Sequence, residues 1–132
     1  MSEIKPNYGK TNPSPEEFKK MPVKRYGSVV ELNPNKDQYY RELHANGWQG
    51  VMEQIKRSNI QNYSVFVHEI ADKKYLFSYF EYVGNDFDAD MVLIAEDEET
   101  RRWWGETDPC QNPLPCADGG IWSAMETVFL LE

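Results

Sequence analysis

Apolar and polar positions alternate along residues 23–32, and this period of two predicts a β-strand. The dipeptide Asn33-Pro34 follows, an N-cap residue and a proline of the kind that opens helices. We therefore predict a helix that begins there and runs to about Ser58. Asn59 is a residue type that can adopt the left-handed conformation at a helix end, so we expect it to stop this helix.

The remainder of the chain predicts two further strands, two amphipathic helices and a final strand. The strands are expected at residues 63–69, 75–83 and 124–131, and the helices at residues 86–95 and 97–104, with an irregular segment at 109–120. The order strand, helix, strand, strand, helix, strand is that of the ferredoxin-like α+β fold, in which helices cover one face of an antiparallel sheet. Because aromatic and aliphatic side chains also line the other face, we expect a second copy to cover it in a homodimer.

The first 21 residues differ in character from the rest. They carry three prolines and little apolar periodicity, so we predict an N-terminal extension at residues 1–21 before a single domain at residues 22–132. Within the extension, Ser14-Pro15-Glu16-Glu17 has the spacing of a capping box. The sequence leaves two alternatives for this extension, one short helical turn or a disordered arm.

Composition narrows the class of protein. A hydrophobic fraction of 40% and a charged fraction of 27% are typical of a globular domain, and the formal net charge of −8 argues against nucleic acid as a partner. The sequence shows neither a signal segment nor an apolar run long enough to span a membrane, so we expect a cytoplasmic protein without a membrane partner. Cys110 and Cys116 fit no metal-binding spacing, so no metal is expected; two free thiols are the default and a short disulfide the alternative.

The candidate chemistry starts at Tyr40, His44 and Trp48, which are spaced four residues apart on the predicted helix. Val51 and Ile55 continue the same face, which is therefore the apolar one. Histidine titrates near neutral pH, so a histidine here can act as an acid–base catalyst, with the Tyr40 side chain orienting it or sharing its proton. A core histidine that is merely hydrogen-bonded is the alternative.

Other aromatic residues extend this hypothesis. Trp103 and Trp104 are adjacent, so on a helix they point about 100° apart, and we expect one to be structural and the other to contact a ligand. Tyr63 faces opposite to His68 by strand alternation, and His68 is expected at an exposed strand end. Because glycine-rich phosphate loops and metal-binding sets are absent from the sequence, we expect a site that works without a cofactor.

Several short segments together resemble a known family. They are Lys24-Arg25-Tyr26-Gly27-Ser28-Val29, Tyr40 with His44 and Trp48, Asn62-Tyr63, Arg102-Trp103-Trp104 and Thr107-Asp108-Pro109. In this order and spacing the chain resembles the L-rhamnose mutarotase family from about Lys24 to Glu132. The resemblance implies a dimeric α/β barrel of ferredoxin-like subunits that interconverts the anomers of a deoxy sugar without a cofactor. It also implies that His44 is the proton donor and that Tyr40, Tyr63, Trp103 and Trp104 contact the sugar.

The sequence departs from this family in places that bear on the substrate. Gln49-Gly50 stands where Pro-Glu is common, and the loop at residues 110–120 also differs. The stretch at residues 80–84 resembles a branch of the family whose sugar is less well established. L-rhamnose is the expected monosaccharide, and L-fucose is the alternative. Similar dimeric barrels include monooxygenases and proteins that only bind small molecules, so a non-catalytic binding barrel also remains open.

Overall fold

A computed structural model describes residues 11–132, and the part of the predicted extension before Thr11 lies outside the described residues. The helices are α1 (Pro15–Lys20), α2 (Asp37–Ala45), α3 (Gln49–Arg57), α4 (Phe87–Glu96) and α5 (Glu98–Thr107). The strands are β1 (Lys24–Leu32), β2 (Ile60–Ile70), β3 (Lys73–Tyr82), β4 (Gln111–Asn112) and β5 (Ser123–Met125), with 3-10 turns at Pro34–Lys36 and Asp108–Cys110. None of the helices described is long and apolar enough to cross a lipid bilayer.

The strands form one antiparallel sheet in which β1 is central. It pairs with β3 along nearly its whole length, from Lys24 opposite Tyr82 to Glu31 opposite Tyr75. Beyond β3 lies β2, while β4 and β5 pair with different parts of the other edge of β1. The order β2-β3-β1-β5 is the ferredoxin-like arrangement, so the α+β fold predicted from the sequence is confirmed.

The described part of the N-terminal extension contains the predicted helical turn. The hydroxyl of Ser14 accepts a hydrogen bond from the backbone N–H of Glu17, and the carboxylate of Glu17 accepts one from the backbone N–H of Ser14, so the capping box forms. Helix α1 also contacts the sheet, because the ring of Phe18 meets the ring of Tyr26 edge-on at 5.5 Å between centroids. This segment therefore packs on the domain that follows it.

The hairpin of β2 and β3 confirms the predicted strand pair. Its turn is shorter than the polar stretch at residues 71–74 suggested, because only Ala71 and Asp72 lie between the strands. Both have positive φ, 50° and 70°, as a two-residue type I′ turn requires. Such a turn matches the right-handed twist of the strands and lets the pairing continue up to Ile70 opposite Lys73.

The prediction of one helix from residue 34 to about Ser58 is wrong, because α2 and α3 are separate. Helix α2 ends at Ala45, where both the backbone N–H and the side-chain amide of Asn46 donate to the carbonyl of Glu42 at 3.1 Å. Gly47 follows, a poor helix former, and Trp48 is extended. Trp48 therefore caps α3 and does not share a helical face with Tyr40. The predicted stop at Asn59 is confirmed by its φ of 66°.

The final strand is much shorter than predicted. It spans only Ser123–Met125, although the sequence predicted residues 124–131. After Met125 the chain leaves β1, and the backbone N–H of Leu130 donates instead to the carbonyl of Thr11 at 2.7 Å. A run of apolar residues favours a strand only where a neighbouring strand supplies hydrogen bonds. Here Val128, Phe129 and Leu131 stay largely exposed.

Helix α4 packs on the sheet with the face that the sequence predicted. Ile94 is buried in one cluster with Ile60 and Tyr82, and Phe87 and Met91 pack against it. The helix begins at Asp86, whose carboxylate accepts from the backbone N–H of Ala89. Together with α2, α3 and α5, this helix covers one face of the sheet.

A β-bulge in β2 sets the direction of one candidate site residue. Gln61 lies opposite Glu81 and Ser64 opposite Tyr79, so Asn62 and Tyr63 share the space opposite a single residue of β3. Asn62 takes up the extra length with a φ of 49°. Because the bulge reverses the alternation of side chains, Tyr63 lies on the helix-covered face.

Glu81 holds this bulge through its carboxylate. One oxygen accepts hydrogen bonds from the side-chain amides of Gln61 at 2.8 Å and Asn62 at 3.0 Å, and the other accepts from the hydroxyl of Tyr79 at 2.7 Å. All three bonds favour the ionised form, so they lower the pKa of Glu81 to about 2. The charged carboxylate is therefore part of the geometry of β2.

We expect Glu81→Gln to be less stable than the wild type near neutral pH and less sensitive to acid. The folded-state pKa lies below the ordinary 4.5, so the stabilisation is present above about pH 4.5 and is lost as the pH falls toward about pH 2. Urea denaturation over this range measures it, with Glu96→Gln, a change at an exposed helix end, as the control. Parallel pH curves for Glu81→Gln and the wild type would contradict the role of the carboxylate.

Candidate functional site

Two adjoining cavities lie between the helices and the sheet. The larger cavity has a volume of about 800 Å³ and the smaller one about 380 Å³. Five residues line both: Tyr40, His44, Tyr63, Trp103 and Trp104. These are the five candidate site residues predicted from the sequence, and α2, β2 and α5 bring them together. The structure thus places them around one space, while their roles stay predictions.

The imidazole of His44 has a fixed orientation. Its Nδ1 lies 2.8 Å from the backbone carbonyl oxygen of Tyr40, one helical turn earlier. A carbonyl can only accept, so Nδ1 carries the proton and donates it, and Nε2 is the nitrogen available to a ligand. The sequence suggested that the Tyr40 side chain orients His44. The imidazole instead donates its hydrogen bond to the backbone carbonyl of Tyr40. The ring of Tyr40 lies beside the imidazole, at 4.1 Å between centroids.

His44 is exposed rather than enclosed in the core, while its catalytic role stays a prediction. The neighbouring residue Leu43 is buried in the core, whereas His44 is accessible and lines both cavities. A core histidine would be enclosed by apolar neighbours. The alternative of a buried structural histidine is therefore wrong.

Two tyrosines, Tyr40 and Tyr63, line the same cavities, and the pKa of each phenol is raised. Tyr40 is only 5% accessible, and burial raises its pKa although the hydrogen bond to Gln111 opposes the shift. Tyr63 is 48% accessible to the open cavity, yet enough protein surrounds its hydroxyl that desolvation raises its pKa as well. Its ring stacks on Phe80 at 5.7 Å with an angle of 12° between the planes. Both tyrosines therefore stay neutral and can donate hydrogen bonds to a bound molecule.

The two adjacent tryptophans differ in burial. Trp103 is 7% accessible and belongs to a core cluster with Leu43 and Val51. Its ring also meets His44 edge-on at 5.2 Å between centroids. Trp104 is 38% accessible, so a larger part of its indole is open to a ligand. One tryptophan is thus largely buried and the other more open, and the division into a structural and a ligand-contacting tryptophan stays a prediction.

The sequence did not identify several residues that line the smaller cavity. Asp108 is the first residue of a 3-10 turn that follows α5, and Gln111 and Trp122 also reach this cavity. Gln111 lies in the segment predicted to be irregular, and Asp108 and Trp122 lie outside every predicted helix and strand, so no periodicity showed which side chains face inward. The only signal was that Asp108 belongs to one of the segments that carry the family resemblance. Burial raises the pKa of its carboxyl.

Other candidates lie outside the site. His68 is exposed on β2 opposite Tyr75, on the sheet face away from the cavities. Cys110 is buried and Cys116 exposed, and both are free thiols, so the alternative of a short disulfide is wrong. Within residues 11–132, no group of three or more His, Cys, Asp or Glu side chains is arranged to hold a metal ion.

Comparison with known proteins agrees with this architecture. Residues 25–131 match the family model described as L-rhamnose mutarotase. The L-rhamnose mutarotase of Listeria monocytogenes is 29% identical over 93 residues, which are 70% of this chain and 85% of that protein. The one from Formosa agariphila is 26% identical over 116 residues, covering 83% of this chain and all of that protein. The crystal structure of L-rhamnose mutarotase from Formosa agariphila has a similar fold, with a TM-score of 0.61, 24% identity and coverage of 83% and 99% of the two chains.

Fold, cavity and family match together define the class: the protein is an isomerase that acts on carbohydrates. Because the family model covers most of the sequence, the chain belongs to the L-rhamnose mutarotase family. Its general activity is therefore that of a sugar mutarotase, an enzyme that speeds the exchange between the two anomers of a sugar.

We expect the two tryptophans to respond differently to replacement by phenylalanine. Trp103→Phe removes volume from the core and should lower the free energy of unfolding by about 1–3 kcal/mol. Trp104→Phe should leave stability nearly unchanged and weaken sugar binding. Thermal unfolding and calorimetric titration of each variant measure the two effects. Equal losses of stability, with sugar affinity unchanged in both, would remove the pair from the site.

Proposed function

We propose that this chain interconverts the α and β anomers of L-rhamnose and that His44 is an acid–base group of the reaction. The observation that carries the proposal is the position of His44 on the wall shared by both cavities, with Nδ1 bound to a carbonyl and Nε2 available. An imidazole held in one orientation is prepared to give a proton to one site on a ligand and take it back.

The reaction requires two proton movements. A base takes the proton of the anomeric hydroxyl, and the electron pair of that O–H bond forms the second bond of C1=O. The bond from C1 to the ring oxygen breaks at the same time, and an acid protonates that oxygen. Closure on the other face of the carbonyl reverses both movements and gives the other anomer. His44 acts as the acid in ring opening in its doubly protonated form, in which Nδ1–H stays on the carbonyl of Tyr40 and Nε2–H is donated. Such groups contribute about 10²–10⁴-fold to the rate.

The cavity walls suit a sugar that carries both hydroxyl groups and an apolar methyl group. Indole and phenol rings pack against C–H and methyl surfaces, and the hydroxyls of Tyr40 and Tyr63 remain protonated donors. The substrate itself rests on the names of the relatives, which are L-rhamnose mutarotases. L-fucose is the alternative, because it is also a deoxy sugar with a methyl group at the same carbon.

We expect His44→Asn to keep the fold and most of the sugar affinity but to slow catalysed anomer exchange by about two orders of magnitude or more. The measurement is the exchange rate of L-rhamnose by NMR, divided by the concentration of folded protein. His68→Asn is the matched control, because His68 lies on the other face of the sheet, and it should change little.

A purely structural His44 would give a different result. Loss of its hydrogen bond would then lower the free energy of unfolding by about 1–3 kcal/mol, and activity would fall only in proportion to the folded protein lost. An unchanged exchange rate per folded molecule in His44→Asn would therefore contradict the proposed role.

The proposal includes a homodimer. On β2, Phe66 and Ile70 pair with Phe77 and Lys73 and are 62% and 48% accessible, and Phe66 also borders the larger cavity. The C-terminal residues Val128, Phe129 and Leu131 add further exposed apolar area, 74%, 64% and 76% accessible. Apolar surface of this extent is typical of an interface rather than of a surface in water, and a second copy with the same surface is its simplest cover.

Light scattering at micromolar concentration should give twice the chain mass of 15.5 kDa. Phe129→Asp should shift the population toward the monomer, because it places a charge in the proposed interface. Asp118→Asn, an exposed loop change, is the control and should leave the mass unchanged. A wild type that stays monomeric would contradict the dimer.

A further inference from the structure

Ring opening needs a second group besides His44. One group must take the proton of the anomeric hydroxyl while another gives a proton to the ring oxygen, and a single imidazole nitrogen cannot do both at once. The partner must reach the same ligand as His44, and the smaller cavity is a space that His44 lines. This inference rests on the proposed function, since it concerns the same reaction.

Among the described residues that line the smaller cavity, four can titrate: Tyr40, His44, Tyr63 and Asp108. Burial raises the pKa of both phenols, so neither can serve as a base near neutral pH. The other lining side chains are indoles, an amide, a hydroxyl and an aliphatic chain, which do not exchange protons in this range. Asp108 is the one carboxyl group on this wall.

The backbone of Asp108 is fixed by hydrogen bonds, whereas its side chain makes none within the described residues. Its N–H donates to the carbonyl of Trp104, and its carbonyl accepts from the N–H of Gln111. Within residues 11–132, by contrast, the carboxylate makes neither a hydrogen bond nor an ion pair. A carboxylate that lines a cavity without a protein partner has its oxygens available to a ligand.

Charged side chains on the elements that pack against Asp108 do not contribute to the shift of its pKa. The elements packed against the 3-10 turn are α5, α2 and the turn at Pro34–Lys36. Among their charged groups, Lys36 and Glu106 influence Cys110, and Asp37 is paired with Arg41. Asp108 is exposed overall, and the one cause of its raised pKa is partial desolvation, which makes the carboxylate a stronger base than a fully solvated one.

We propose that Asp108 is the second acid–base group of the site and works as the base opposite His44. In ring opening, an oxygen of Asp108 takes the anomeric proton, the O–H electron pair becomes the second bond of C1=O, and the C1–ring oxygen pair moves to the ring oxygen. That oxygen receives the proton from Nε2 of the doubly protonated His44, which is left as the neutral imidazole with its remaining proton on Nδ1. Ring closure returns both protons, so the protein ends each cycle unchanged.

The test is Asp108→Asn, which keeps the shape of the side chain and removes its ability to take a proton. With L-rhamnose as the probe, kcat for anomer exchange should fall by about 100-fold, and KM should change much less. In the wild type, kcat should also fall as the pH drops through the pKa of this carboxyl, with a midpoint above the ordinary 3.8. That acid limb should be missing in Asp108→Asn.

A matched control and a stability measurement separate chemistry from folding. Asp72→Asn changes another aspartate, in the hairpin turn far along the sheet, and should leave kcat and its pH profile unchanged. Because the folded-state pKa of Asp108 is raised, its ionised form destabilises the fold at neutral pH, and the melting temperature of Asp108→Asn should be unchanged or higher. A structural role would instead lower it.

Each result decides the inference. A wild type and a His44→Asn variant that behave as proposed, together with an Asp108→Asn variant of wild-type kcat, would overturn the role of Asp108 alone. A rise in KM with unchanged kcat would also overturn it, as would a fall in kcat at low pH that persists in Asp108→Asn. A wild type that leaves the exchange of L-rhamnose and L-fucose at the spontaneous rate would overturn the proposed function, and this inference with it.

Discussion

The packing of Trp103 is the contact on which both the fold and the site depend. Its indole is buried with Leu43 of α2 and Val51 of α3, so one side chain of α5 joins three helices. The same ring meets His44 at 5.2 Å and Trp48 at 5.3 Å, both edge-on. Because truncating a large buried aromatic residue costs about 3–5 kcal/mol, the same side chain that lines the cavity also contributes strongly to the core.

The elements whose signals are local could be predicted from the sequence. The capping box at Ser14, the left-handed Asn59 and the inward face of α4 all follow from residue type and spacing, and the structure contains each of them. The break between α2 and α3 could not be predicted in the same way. Gly47 weakens a helix without ending it, and the break also needs Asn46 to bond back to Glu42.

The candidate site was predictable to the extent that it uses helical spacing and family resemblance. Tyr40, His44 and the tryptophan pair meet because helices present them, whereas Tyr63 depends on a bulge held by a glutamate on the next strand. Asp108 was missed for a physical reason. Its distinctive property is that its exposed carboxylate lines the smaller cavity, a position that arises only when α5, α2 and the 3-10 turn come together. The spacing of residues along the sequence therefore could not predict that Asp108 lines the cavity.

Mutarotation makes modest demands on a protein, because sugars already exchange their anomers in water. A cavity that holds one proton donor, one proton acceptor and neutral phenols is enough to lower the barrier. The most direct measurement is NMR exchange spectroscopy of the wild type with L-rhamnose, L-fucose and D-glucose. We expect the L-rhamnose exchange rate to rise in proportion to protein concentration while D-glucose stays at its spontaneous rate. Exchange of L-rhamnose at the spontaneous rate at every protein concentration would contradict this account.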